Sequence, residues 1–305
     1  MRAELQERLL SLLRERIRFA VPLARHTSFR VGGPADVFAE PDSLEELQAL
    51  VTLLHQESVP CFLLGGGTNI LVSDKGVRGV VLKLGEGFNH TFWEEGEDTA
   101  RVKVGAARSL GRFVREAIGK GYRGMEFAEG IPGSVGGGLL MNAGAFGGEL
   151  SHIVEAISGV CQDGSLVCLP GEALGFAYRR TALPAGFIIT EIEFRLRRGE
   201  QESMLEAMRR AQHKRQRTQP HGYPNAGSIF KNPPGTYAGR LIEAAGLKGL
   251  EVGHARVSEQ HANFIVNTGG ASATEVRQLM EHVQHVVWEK GRVWLEPEVR
   301  LVGEW

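Results

Sequence analysis

The residues most able to do chemistry in this chain lie in segments built for turns. Tyr223 to Pro234 reads Tyr-Pro-Asn-Ala-Gly-Ser-Ile-Phe-Lys-Asn-Pro-Pro and sets one hydroxyl, Ser228, between Gly227 and a Phe-Lys-Asn-Pro run. Glycine on one side and prolines on the other fix the local backbone, which suits a catalytic hydroxyl better than a core serine. Lys231 and Asn232 follow it, a point charge and an amide, which are the donors that anionic and polar substrate groups need. Two glycine-rich stretches lie upstream. Gly65, Gly66, Gly67, Thr68 and Asn69 follow an apolar run and can wrap a pyrophosphate, although a bare glycine turn explains them equally well. They lack the Gly-Lys-Ser/Thr of a P-loop and the Gly-x-Gly-x-x-Gly of a Rossmann turn, which disfavours ATP hydrolysis and ordinary Rossmann binding. The second stretch contains Gly130, Ile131, Pro132, Gly133, Ser134, Gly136 and Gly137, and Asn142, Ala143 and Gly144 come soon after. So many positions without side chains cost folding entropy, and a ligand approaching the backbone closely is the favoured reason for them. Together these features describe a chain that grips phosphates and delivers a proton.

Composition narrows the classes. A chain of 305 residues is expected to form two or three domains with a large core. Its formal net charge of −1 argues against broad electrostatic binding to nucleic acid or to an anionic membrane. Three cysteines, Cys61, Cys161 and Cys168, cannot all pair and form no Cys-x-x-Cys, so neither a disulfide framework nor a zinc site is expected. The ten histidines include no His-x-x-x-His, so no metal is expected. The opening Met-Arg-Ala-Glu-Leu-Gln-Glu is no signal peptide and no span of about 18 apolar residues occurs, so the cytoplasm is the expected location. Forty glycines, clustered between apolar runs, suit a backbone that surrounds a large ligand.

The elements that must position these residues follow from periodicity. Leu5, Leu9, Leu12, Leu13 and Ile17 share one helical stripe over residues 3 to 17. Asp42 or Ser43 caps a helix through about Gln56, and Val59 to Leu64 and Val77 to Leu84 read as strands around the first glycine loop. Thr91 to Val104 alternates like a strand, Leu110 to Gly119 is helical, and Ile153 to Leu169 is broken by the Asp163-Gly164 hairpin signal. Phe187 to Leu196 is another strand. Residues 201 to 217 form a helix carrying Arg209, Arg210, Lys214, Arg215 and Arg217, read as a solvated face in preference to a nucleic-acid site. Beyond Ser228, residues 237 to 245 and 272 to 289 are helical, Asn263 to Asn267 is a strand, and Val293 to Val302 is a last strand holding Glu296 and Glu298.

Motifs in fixed order then point to a family. Phe29-Arg30-Val31-Gly32-Gly33-Pro34-Ala35, the two glycine stretches, Asn142-Ala143-Gly144, Tyr178-Arg179, Ala226 to Pro233, Ala262-Asn263-Phe264 and Leu295-Glu296-Pro297-Glu298 occur in sequence. The chain resembles the UDP-N-acetylenolpyruvoylglucosamine reductase (UDP-N-acetylmuramate dehydrogenase) family of peptidoglycan precursor synthesis. The short connection from Arg195 to Ser228 resembles the compact subtype without an extra tyrosine loop. The resemblance implies an α+β fold: a two-part FAD-binding domain of the vanillyl-alcohol oxidase/PCMH type, residues 1–85 and 86–199, then an α+β substrate domain, residues 200–305. Residues 293–305 are expected to return toward the FAD part. It also implies noncovalent FAD held by the glycine stretches and NADPH as co-substrate; small-molecule partners only and a monomer are expected.

The resemblance further implies three catalytic residues, Arg179, Ser228 and Glu298. In such a reaction hydride passes from flavin N5 to the enolpyruvyl methylene carbon. Charge then builds on the adjacent carbon and its carboxylate, where a guanidinium can hold it, oriented by Glu298. Ser228 would supply the proton, with Lys231 as a cationic neighbour, and Arg240 is a further candidate for the substrate diphosphate. Read singly, Arg179 is equally a surface ion-pair residue, Glu298 a strand-edge charge and Ser228 a turn residue bonding its own backbone. Two rival functions are an alcohol or sugar oxidase of the same superfamily and a noncatalytic nucleotide-sugar sensor. His26 and Thr181 stand where the family commonly has Asn and Ser.

Overall fold

Alternation of apolar and charged residues from Ile188 to Arg198 builds the central strand of the largest sheet. Ile192, Phe194 and Leu196 are fully buried while Glu193, Arg195 and Arg197 turn outward, the period of two that a one-sided strand requires. A computed structural model describes residues 2–305. Its strands form a four-stranded sheet in the order Ile17–Pro22, Pro34–Ala39, Val77–Leu82, Cys61–Leu63. A six-stranded sheet runs Leu166–Pro170, Val154–Val160, Ile188–Arg198, Thr99–Gly105, Thr91–Glu95, with Tyr122–Arg123 also pairing with Ile188–Arg198. Three smaller sheets complete the set.

By contact density the chain divides into two units, both discontinuous in sequence. Among the described residues the first comprises 2–19, 37–66 and 79–214, and the second 20–36, 67–78 and 215–305.

In the first unit every pairing of the six-stranded sheet is antiparallel. Helix Leu110–Gly119 buries Leu110, Phe113, Val114, Ala117 and Ile118, a stripe at i, i+3, i+4, i+7 and i+8, and Phe113 lies 5.1 Å from the Phe194 ring. Helix Leu44–Gln56 begins at Ser43, whose hydroxyl accepts from the Glu46 N–H, as the sequence suggests. The stretch 91–104 is a hairpin and not a single strand, because the polar Gly96-Glu97-Asp98 segment turns the chain, with Gly96 N–H donating to the Thr99 carbonyl at 2.8 Å. Helix Gln201–Thr218 buries only Met204 and Ala211, in keeping with a solvated basic face.

The second unit packs helices Ala238–Ala244 and Ala273–Gly291 around Phe29, Leu71, Phe230, Ile265 and Leu295. Strand Arg300–Val302 lies parallel to Ile70–Val72, and Glu251–Val252, Ala255–Val257 and Ile265–Asn267 form an antiparallel sheet. The strand expected over 293–302 is confined to Arg300–Val302, so Glu296 and Glu298 lie outside it. Pro297 has no N–H for a ladder, and the chain around it pairs instead through a single bridge to Phe230. Among the described residues no helix is long and apolar enough to cross a membrane, and no group of three His, Cys, Asp or Glu side chains can hold a metal ion.

Helix Ala273–Gly291 has a doubled N-terminus. Ser272 and Glu275 form a reciprocal capping box, and Asp74, from 199 residues earlier, accepts from Ala273 N–H (2.8 Å), Thr274 N–H (2.8 Å) and the Thr274 hydroxyl (2.7 Å). Partial burial pushes the Asp74 carboxyl up, but these three donors outweigh it and leave the group below its usual range. Its stabilising contribution is therefore complete above the ordinary carboxylate pKa of about 4 and fades as pH falls through the lower folded value. Asp74→Ala is expected to cost about 1 kcal/mol at neutral pH, the usual worth of a helix cap, in denaturant unfolding. The gap from the parent protein should narrow below about pH 4; a gap that widens in acid would contradict the role given to Asp74.

Candidate active site

The first glycine stretch meets the second within the first unit. A Cβ added to Gly66 would lie 2.6 Å from the Gly133 Cα, and one added to Gly65 would lie 3.0 Å from Ser134 Oγ. Side chains are excluded here because two backbones touch. Ser134 caps the short helix Val135–Leu140 by accepting from Gly137 N–H. Among the described residues, the N–H groups of Gly65, Gly66, Gly133 and Ser134 are taken by no protein acceptor. This is a donor-lined backbone surface with exposed glycines, and it fits the pyrophosphate of a dinucleotide such as FAD. Gly130 has φ of 74°, a left-handed turn that glycine adopts without strain, and Ile131 N–H donates to the Ala128 carbonyl.

Arg179 also belongs to the first unit and sits at the tip of a tight turn. Ala177 and Arg180 exchange both backbone hydrogen bonds, at 2.9 and 3.1 Å, leaving Tyr178 and Arg179 between them. Arg179 has φ of 56°, and its guanidinium lies 5.1 Å from the Tyr178 ring centroid. Its Nη1 donates to the Gly144 carbonyl at 3.1 Å. Asn142, at φ of 40°, is buried and spans the same region. Its amide donates to the Ala177 carbonyl (3.3 Å) and accepts from Ser151 N–H (3.0 Å). Phe146, in the two-residue turn between Gly144–Ala145 and Gly148–Glu149, has φ of 53°. Asn142, Phe146 and Arg179, all non-glycine residues at positive φ, thus fall in the segments that these hydrogen bonds join, a concentration typical of functional sites. Thr181 anchors the turn by donating its hydroxyl to the Leu139 carbonyl at 2.5 Å, so a hydroxyl suffices where the family commonly has Ser.

Sequence reasoning gave no role to Glu149. Ser151 and Asn142 hydrogen bonds, and more weakly the charges of His152 and Arg179, hold its carboxyl below the usual range. Glu149 pairs directly across from Gly144, whose carbonyl receives Arg179. The Phe146-Gly147 turn signal was the one feature that could have drawn attention to it.

Ser228 and Glu298 lie together in the second unit. Residues on both sides of Ser228 are pinned. Gly227 N–H donates to Asn225 Oδ1, and Ile229 N–H donates to the Asn263 carbonyl at 2.9 Å. The buried Asn263 amide then clasps Phe230, accepting from its N–H at 3.0 Å and donating to its carbonyl at 2.8 Å. Ser228 itself is half-buried, and among the described residues its hydroxyl makes no hydrogen bond to protein. A serine bonding its own turn is therefore not what is found. Across from it, Glu298 N–H donates to the Ile229 carbonyl at 2.8 Å, and Lys231 N–H donates to the Glu296 carbonyl at 2.8 Å. Lys231 Nζ forms an ion pair with Glu296 at 2.5 Å. Asn232 Oδ1 accepts from Ala238 N–H at the start of helix Ala238–Ala244. Arg240 is exposed and lies 4.9 Å over the Tyr237 ring. Gly67, Thr68 and Asn69 also belong to this unit, where a Cβ on Gly67 would strike the His26 carbonyl at 2.0 Å. That contact is made by backbone, which any residue type at position 26 supplies.

Comparison with known proteins places the chain in a family. Residues 35–169 match a model of the FAD binding domain, and residues 219–302 match the C-terminal domain of UDP-N-acetylenolpyruvoylglucosamine reductase. UDP-N-acetylenolpyruvoylglucosamine reductase 2 of Symbiobacterium thermophilum is 49% identical over 97% of this chain and 96% of its own length. The Bacillus subtilis reductase is 42% identical over 92% of each chain. The crystal structure of the Thermus caldophilus reductase superposes with a TM-score of 0.83 at 38% identity, covering 94% of this chain and 99% of that one. A VAO-type flavoprotein from Myceliophthora thermophila shares the fold at a TM-score of 0.52 and 12% identity, over 97% of this chain and 63% of its own. Near-complete coverage at such identity, joined to matches to both domain models, means that the chain belongs to the UDP-N-acetylenolpyruvoylglucosamine reductase family.

Proposed function

We propose that this FAD-dependent oxidoreductase reduces UDP-N-acetylglucosamine enolpyruvate to UDP-N-acetylmuramate at the expense of NADPH, in the cytoplasm and as a monomer. Cofactor binding is assigned to the glycine stretches of residues 1–85 and 86–199, and substrate binding to 200–305 with Lys231, Asn232 and Arg240. The observation that carries the reading is Ser228: a half-buried hydroxyl unused by the protein, on backbone secured by Asn263 and by the segment bearing Glu298.

FAD held by the two glycine stretches would supply two-electron chemistry, linking oxidation of NADPH to reduction of the enolpyruvyl double bond. The rest falls to side chains. Arg179 is assigned to the substrate carboxylate, where its planar fork stabilises negative charge as the double bond is reduced. Holding the guanidinium at the Gly144 carbonyl fixes its direction before substrate arrives, and preorganisation of that kind is the larger part of electrostatic catalysis. Ser228 delivers one proton to the carbon next to the carboxylate, completing addition of hydride and proton across the double bond. A hydroxyl is a weak acid, so the step requires a strongly basic carbon and nearby positive charge. Glu298 orients the group that Ser228 protonates. Lys231 is itself paired with Glu296, which makes it a shielded cation better suited to substrate contact than to direct acidification of Ser228.

Protein reconstituted with FAD should be yellow and should be bleached by NADPH. Ser228→Ala is expected to slow reoxidation of reduced flavin by the enolpyruvyl nucleotide about a hundredfold or more, the usual weight of a positioned proton donor. Its reduction by NADPH should hold. Rapid reoxidation by oxygen without response to the nucleotide would instead identify an oxidase. Arg179→Lys keeps the charge and loses the fork, and stopped-flow reoxidation should fall at least about tenfold; an unaltered rate would remove Arg179 from the mechanism.

A further inference from the structure

At Glu298 the parallel ladder joining Arg300–Val302 to Ile70–Val72 comes apart. Arg300 N–H donates to the Asn69 carbonyl at 3.1 Å, and Arg300 is in register with Ile70. In a parallel ladder of that phase the next rung would run from Asn69 N–H to the Glu298 carbonyl. The rung is made by the side chain instead: Asn69 Nδ2 donates to the Glu298 carbonyl at 3.2 Å. Because the partner is an acceptor, the amide nitrogen must be the atom that faces it. The Glu298 N–H is diverted as well, to the Ile229 carbonyl, which Val299 N–H also approaches at 3.4 Å. Among the described residues, no protein acceptor takes the backbone N–H of Asn69.

Two consequences follow from this exchange of a backbone rung for a side-chain one. The Glu298 carbonyl is satisfied without continuing the strand, so the chain is released to pair with the Ser228 segment. The Asn69 N–H, at the end of the first glycine stretch, is left without a protein acceptor among the described residues. We propose that the Asn69 side chain is a clasp that ties the first glycine stretch to Glu298, making Asn69 a positioning residue for the Glu298–Ser228 pair and coupling occupancy of that stretch to the order of residues 298–300. The inference rests on the role given to Glu298 above. Aspartate at this position has the same size but no donor for a carbonyl, and alanine has neither, whereas the backbone bond from Arg300 to Asn69 survives both changes.

Hydrogen exchange on apo and FAD-loaded protein tests the coupling directly. In the parent protein FAD should slow exchange of the Glu298 and Val299 amides about tenfold, the weight of one hydrogen bond. In Asn69→Ala and Asn69→Asp that slowing should vanish. In both variants the ratio of reoxidation by the enolpyruvyl nucleotide to reduction by NADPH should also drop about tenfold, equivalent to about 1.4 kcal/mol. Equal slowing by FAD in parent and variants overturns the clasp, as does an unaltered rate ratio. Parent-like behaviour of Asn69→Asp overturns it too, even if the alanine variant has lost its flavin. Glu298→Gln is read separately: unaltered reoxidation in that variant would defeat the catalytic role of Glu298, a result the exchange measurement does not depend on.

Discussion

Irregular backbone can present a reactive side chain only when its own polar groups are satisfied by something else, and in this protein Asn263 does most of that work. One buried amide accepts the Phe230 N–H and donates to the Phe230 carbonyl, while the Asn263 carbonyl receives Ile229 N–H. The run from Ala226 to Phe230 therefore needs no strand partner on that side. Its other edge is left for the segment 296–298, and the Ser228 hydroxyl is spared from local bonding. Removing the amide would strand two backbone groups in the core, each costing about 1–3 kcal/mol, so rigidity at Ser228 and stability of the surrounding unit are the same property.

The arginine is held by a different device. Tyr178 and Arg179 occupy a two-residue turn whose backbone is strained at Arg179, and the strain is balanced by bonds to Leu139, Gly144 and the Asn142 amide. A guanidinium on a flexible surface arm would lose rotamer freedom on meeting an anion, on the order of 2 kcal/mol. Here part of that loss is already spent in folding. Both devices convert buried side-chain amides into directional control over a charged or protic group.

Much of this was legible in the sequence. The period-two run around Ile192 and the stripe of Leu110, Phe113, Val114, Ala117 and Ile118 specify their elements by burial alone. The glycine stretches coincide with the close backbone approach of Gly66 to Gly133, the Asn-Ala-Gly-Ser motif holds a half-buried hydroxyl, and the ordered motifs sufficed to name the family. The terminal strand was read too long because Val293, Leu295, Val299 and Leu301 alternate convincingly, and alternation carries no information about where Glu298 sends its N–H and C=O. The bond from the Asn69 amide escaped notice for a related reason. Its partner, the Glu298 carbonyl, is distant in sequence, and an amide that serves a remote carbonyl leaves no local periodicity.

The interrupted make-up of the second unit bears on how the chain is born. Residues 20–36 and 67–78 leave the ribosome well over a hundred residues before 215–305, yet Phe29, Val31 and Leu71 share their core with side chains of that last segment. Asp74 likewise must wait for the helix it caps. During synthesis the Ile70–Val72 edge is an unpaired apolar strand without its parallel partner, an exposure that invites intermolecular pairing. Translation stalled before Arg300 would therefore release a chain whose first unit can close around its own core while its second remains an open, aggregation-prone edge.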